Sequence, residues 1–160
     1  MLERHSTYKG FDWFIFFTEA GHRCGYIAIP KDHPLFEAPV ESFEFINCHG
    51  GINFTDHELA GKRSDDEWII GFDCGHYPMD AVDTDSYRRY FGQHELDSLI
   101  TNEKFQCSGH VWTAEEVEDD IMAAIVQLIN YTPTVDEDLL KKLDQIEQDF
   151  LDGKFKGGKI

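Results

Sequence analysis

The run Trp68-Ile69-Ile70-Gly71-Phe72 carries no polar side chain at any position. Successive residues of an extended strand point to opposite faces of a sheet, so this segment has to be covered on both sides. It therefore reads as a central strand with neighbours to either side and material above and below it. Two parts of the chain offer partners. Phe11 to Thr18 and Cys24 to Pro30 flank Glu19-Ala20-Gly21-His22, which has a glycine where a hairpin loop needs positive φ. Phe43 to Cys48 and Ile52 to Thr55 flank His49-Gly50-Gly51 and read as a second hairpin, while the polar, glycine-containing His57 to Glu67 reads as a loop. The sheet is expected over about residues 11–76 and to be mainly antiparallel, with the polar Met1 to Gly10 before it.

The covering layer comes from the other end of the chain. Thr113 and Glu116 have capping-box spacing, and Val117, Ile121, Ala124, Ile125 and Leu128 follow at helical period. Pro133 interrupts the pattern and Thr134 restarts it, with Val135, Leu139, Leu143, Ile146 and Phe150 on one stripe that stops at Gly153. This predicts a helical hairpin over about 113–152 packed with the sheet. Residues 85–100 predict one or two short helices around Gly92. The whole reads as one α+β domain, 1–153, with a flexible tail at 154–160.

Composition narrows the partners. The chain has 160 residues with 31 acidic against 14 basic, a formal charge of −17, so its long-range field repels both a nucleic-acid backbone and an anionic membrane. Direct nucleic-acid binding and membrane binding are not expected. Part of the acidity has a local reason: Glu115, Glu116, Asp136, Glu137 and Asp138 fall in first helical turns, where the helix dipole favours negative charge. With 41% hydrophobic residues the chain can bury a core without disulfides. Trp13 to Phe17 is too short an apolar run for a signal peptide or a membrane span. Cys24, Cys48, Cys74 and Cys107 form no CxxC pair. These features place the chain in the cytoplasm with reduced thiols.

The residues that can carry chemistry converge at predicted strand ends. His49-Gly50-Gly51 and Asp73-Cys74-Gly75-His76 combine imidazole, thiol and carboxylate with glycines that admit a ligand closely. Three chemistries fit. His49, Cys74 and His76, which could meet together with Cys48 if the two segments are neighbours in the sheet, could hold zinc, with His57 or Asp73 completing or orienting the shell, and a bound water would support metal-assisted hydrolysis. Cys74 could act as a thiolate nucleophile with His49 or His76 as base. Alternatively, amides of Gly50, Gly51 and Gly75 could receive a small polar, nucleotide-like ligand, with Trp13, Trp68, Tyr77 or Trp112 stacking on its ring and Arg23, Arg88 or Arg89 pairing with an anionic group. Asp80, Asp83 and Asp85 lack the spacing of a calcium loop and read as a solvated acidic loop. No Walker loop, GxGxxG or GxSxG occurs.

Residues 20–80, through Gly21-His22-Arg23-Cys24-Gly25-Tyr26, His33-Pro34-Leu35-Phe36, His49-Gly50-Gly51-Ile52 and Gly71-Phe72-Asp73-Cys74-Gly75-His76, resemble a group of small uncharacterised proteins from bacterial and bacteriophage genomes. The resemblance implies that His49, Asp73, Cys74 and His76 form a site and that the role is accessory to a phage or mobile element. The sequence thus points first to a binding protein for a small polar ligand at His49, Gly50, Gly51, Asp73, Cys74, Gly75 and His76. Its alternatives are a metal-assisted hydrolase using the same residues and an acidic inhibitor that mimics nucleic acid to block a host protein.

Overall fold

The central strand forms as the apolar run requires. In the computed structural model, which describes residues 1–102, 105, 107–133 and 137–151, β7 (Glu67–Asp73) lies between β3 (Arg23–Pro30) and β4 (Phe54–Asp56). The sheet has five antiparallel strands in the order β1-β2-β3-β7-β4, with β1 Leu2–Tyr8 and β2 Phe11–Phe17. Ile69 and Ile70 point to opposite faces and both are buried. On one face the rings of Phe16, Tyr26 and Phe54 meet edge to face, with centroids 5.8 and 5.5 Å apart. Tyr26 lies over Gly71, where a Cβ would come within 2.4 Å of its ring, so the one small residue of the run makes room for this aromatic row.

The other face is covered by α3 (Ala114–Ile129). Thr113 accepts from the Glu116 amide while Glu116 reaches back to the Thr113 amide, which closes the predicted capping box. Val117, Ile121, Ala124, Ile125 and Leu128 are fully buried against β1, β2 and β3. Each large side chain buried this way contributes about 1.5–3 kcal/mol. Two short helices, α1 (Thr84–Phe91) and α2 (Gln93–Ile100), meet at Gly92 as the sequence predicts and bury Tyr87 and Leu96 against Phe17.

Three expectations are corrected. Met1 to Gly10 is not outside the sheet: β1 pairs with β2 through a Lys9-Gly10 turn in which both residues have positive φ, 50° and 88°. The second hairpin does not form. Val40–Phe43 is a single 3₁₀ turn, His49-Gly50-Gly51 sits in a loop, and only Phe54–Asp56 of that region is a strand, paired with β7. The loop expected at His57 to Glu67 holds a small hairpin, β5 (Glu58–Leu59) and β6 (Lys62–Arg63).

One buried cation ties these parts together. Arg23 is 5% exposed, and its guanidinium has five N–H groups to satisfy. Nε and Nη2 donate to Glu3 of β1 at 2.7 and 3.0 Å, Nη1 to Asp83 and the Trp112 carbonyl at 2.7 Å each, and Nη2 also to Ser86 at 2.9 Å. Asp83 is itself the cap of α1, accepting from the Ser86 amide. Burial opposes its ionisation, yet the Ser86 amide and hydroxyl and the Arg23 charge outweigh burial and hold its carboxyl below the usual range. The stability it confers is therefore complete above the ordinary aspartate pKa and fades as pH falls through the lower folded value.

The chain divides into two compact units, Met1–Asn130 and Tyr131–Ile160. The second contains α4 (Glu137–Leu151), which is helical as the stripe predicts. Thr134, Val135 and the tail at 154–160 lie outside the described residues. No helix among the described residues is long and apolar enough to cross a membrane.

Removing the Arg23 side chain leaves the half-buried carboxylates of Glu3 and Asp83 without their cation. Arg23→Ala is expected to cost about 3–5 kcal/mol of unfolding free energy in urea titrations; a loss below about 1 kcal/mol would contradict the network's role.

Candidate metal centre

The loop carrying His49 is clamped to α3. Asn47 exchanges hydrogen bonds with the Gln127 side chain, and the His49 amide donates to Asp120 at 2.8 Å. The Gly51 amide turns back to the Cys48 carbonyl at 3.1 Å. His76 follows the end of β7, and a turn through Tyr77 to Met79 brings Asp80 back over it. The Asp80 amide donates to the His76 carbonyl at 2.9 Å, and the His76 amide donates to the Asp80 carboxylate at 2.7 Å.

These two segments place His49, His76 and Asp80 side by side, with one ligand atom from each lying within 4.8 Å of the others. His49 Nε2 donates to Asp80 Oδ2 at 2.7 Å, and His76 Nδ1 lies 3.2 Å from the same oxygen. Trp112 Nε1 donates to the second oxygen, Oδ1, at 3.0 Å. Asp80 is 1% exposed, so its charge is held in a nearly dry position by donors from three directions. Burial works against that charge, but the His49 ring, the His76 amide and the Trp112 indole outweigh it and keep the carboxyl below the usual range. The Trp112 ring also packs on His49, with centroids 4.2 Å apart, and thus fixes both a histidine and the carboxylate.

Gly50 explains the glycine after His49. A Cβ there would come within 2.2 Å of His76 Cε1, and the residue has φ +67°, so only glycine lets the two histidines meet. Gly75 stands beside His22. Burial holds the His22 imidazole below its ordinary pKa despite the carboxylates of Asp80 and Asp73, and its enclosed Nδ1 has no partner among the described residues.

Of the residues singled out in the sequence, His49, Gly50 and His76 come together as expected. Asp73 lies at the margin: Oδ1 accepts from the Gly75 amide at 3.0 Å and stands 3.9 Å from His76 Nδ1, while Asn53 donates to Oδ2. Cys74 does not join them. It is 1% exposed in the core, and burial, followed by the nearby Asp80 charge, pushes its thiol strongly up, which leaves it neither a nucleophile nor one of the clustered donors. Cys48 is likewise pushed up to about 12 by burial. His57 is held elsewhere, between Glu37 and the Ser64 and Glu67 carbonyls. The amide cradle drawn from the glycines is not open either, since the Gly51 and Gly75 amides are engaged within the protein. Arg23 pairs internally, and Trp13 belongs to the core.

Asp80 is the residue that sequence reasoning missed. It looks like one member of a solvated acidic run with Asp83 and Asp85, whereas Asp80 and Asp83 are both held in hydrogen-bond networks. Its spacing of four from His76 was the available signal. Compared with protein-family models, curated proteins and solved structures, the chain matches none.

Gly50→Ala is expected to lose more stability than Gly51→Ala, because only the first combines positive φ with a ring in the way. An overpacked site typically costs about 1–3 kcal/mol. Denaturant titration and the imidazole resonances of His49 and His76 check this; equal losses, with unmoved resonances in Gly50→Ala, would contradict the packing described.

Proposed function

We propose that the protein binds a divalent transition metal through His49, His76 and Asp80 and uses it to hold a small polar ligand or an attacking water. The observation that carries this reading is the convergence of the three ligand atoms within 4.8 Å on a buried carboxylate. Two imidazoles and one carboxylate are a donor set suited to zinc and to other first-row metals. A cation entering between His49 and Asp80 takes the place of the proton they share, and the Trp112 indole continues to orient the carboxylate from behind, as outer partners of metal ligands do. Three protein ligands leave a position for an oxygen donor. There the metal can polarise an ester or phosphate oxygen and acidify a bound water, which is the chemistry of a metal-assisted hydrolase.

This reading differs from the zinc set of His49, Cys74 and His76 by exchanging the core thiol for Asp80. It is preferred to a glycine-amide cradle because the Gly51 and Gly75 amides already have acceptors.

Calorimetric titration of chelator-treated protein with zinc, manganese and nickel tests it. Expected is about one equivalent bound by at least one of them, abolished in His49→Ala and His76→Ala, unchanged in Cys74→Ala, and weakened by about 10–100-fold in Trp112→Phe. Absence of binding by the folded protein, or binding by the two histidine variants as tight as that of the unsubstituted protein, would overturn the proposal.

A further inference from the structure

The second compact unit carries a feature that the metal centre does not use. Along α4, Leu139, Leu143, Ile146 and Phe150 recur at alternating spacings of four and three, which is the 3.5-residue period of a coiled-coil seam. On an isolated helix such a stripe would face water. Leu143 and Ile146 are each 52% exposed and Phe150 is 72% exposed, which is unfavourable for large apolar side chains at regular intervals on one helix.

The shape and charge of the stripe identify what covers it. Leu143, Ile146, Glu147 and Phe150 line one depression. With Leu143 and Phe150 at a positions, Ile146 at d and Glu147 at e, these four residues are the a-d-e-a set that forms the hole for a d-position knob in a parallel pair of helices. The knob that fits is Ile146 of a second copy. The flanks agree: Lys142 occupies the g position before the seam and Glu147 the e position after it, so parallel alignment of two identical helices puts each Lys142 next to the other copy's Glu147. In an antiparallel pair, g positions would instead face g positions, and Lys142 would not meet Glu147.

We propose that α4 pairs with the same helix of a second copy of this chain as a short parallel coiled coil, making the protein a dimer through its C-terminal unit. The seam is short, so the dimer is a reversible one that depends on concentration.

Sedimentation equilibrium of the full chain over a wide concentration range tests this. A monomer–dimer equilibrium is expected. Ile146→Lys, at an exposed position where folding is preserved, should leave a monomer with an unchanged sheet signal in circular dichroism. Lys142→Glu should weaken the dimer at least about tenfold, and adding Glu147→Lys should restore it, because the parallel pair is then charge-matched again. A monomer at every concentration, a dimer indifferent to Ile146→Lys, or failure of Glu147→Lys to rescue Lys142→Glu would each overturn the proposal.

Discussion

The buried guanidinium of Arg23 is the contact on which the first unit depends. A cation removed from water is costly unless every donor finds an acceptor, and here each N–H does, on Glu3, Asp83, Ser86 and the Trp112 carbonyl. Those acceptors come from the edge strand β1, the cap and first turn of α1, and the segment leading into α3. The arrangement has a geometric consequence that an apolar core would lack. Planar, directional hydrogen bonds set where each of these segments lies relative to β3, whereas apolar contacts tolerate sliding.

The site inherits that precision through Trp112. Its carbonyl is held by Arg23, while its indole holds Asp80 and its ring packs on His49. In addition, α3 supplies Asp120 and Gln127 to fix the loop that carries His49. His76 is delivered by the end of β7, the strand whose apolar run requires an interior position. Three independent elements therefore converge on one carboxylate, and Gly50 removes the steric obstacle to their meeting. The proposed metal binding rests on this arrangement, a buried carboxylate that already carries its charge in a dry place with two imidazoles beside it.

What the sequence disclosed follows from how local each signal is. The capping box at Thr113 and Glu116, the hairpin of β2 and β3, and the interior placement of β7 depend on neighbours a few residues away, and all three are present. β1 was hidden because an edge strand needs no apolar alternation: Leu2 to Tyr8 is mostly polar, and the pairing is set by a Lys9-Gly10 turn. The loop around His49 mimicked a hairpin because its glycines have turn character, but its hydrogen bonds go to side chains of α3 about seventy to eighty residues further on. Asp80 was hidden for the same reason. Its burial is produced by His49 and Trp112, both about thirty residues away in sequence, and an aspartate among other aspartates looks solvated until those partners are placed.

The most direct test of the proposed metal centre is diffraction at the zinc absorption edge from crystals grown with zinc. One anomalous peak is expected about 2.0–2.2 Å from His49, His76 and an Asp80 oxygen, with Trp112 still bonded to the other oxygen and Cys74 uncoordinated. A zinc-soaked crystal in which His49 and Asp80 keep their direct hydrogen bond, with no peak between them, would contradict it.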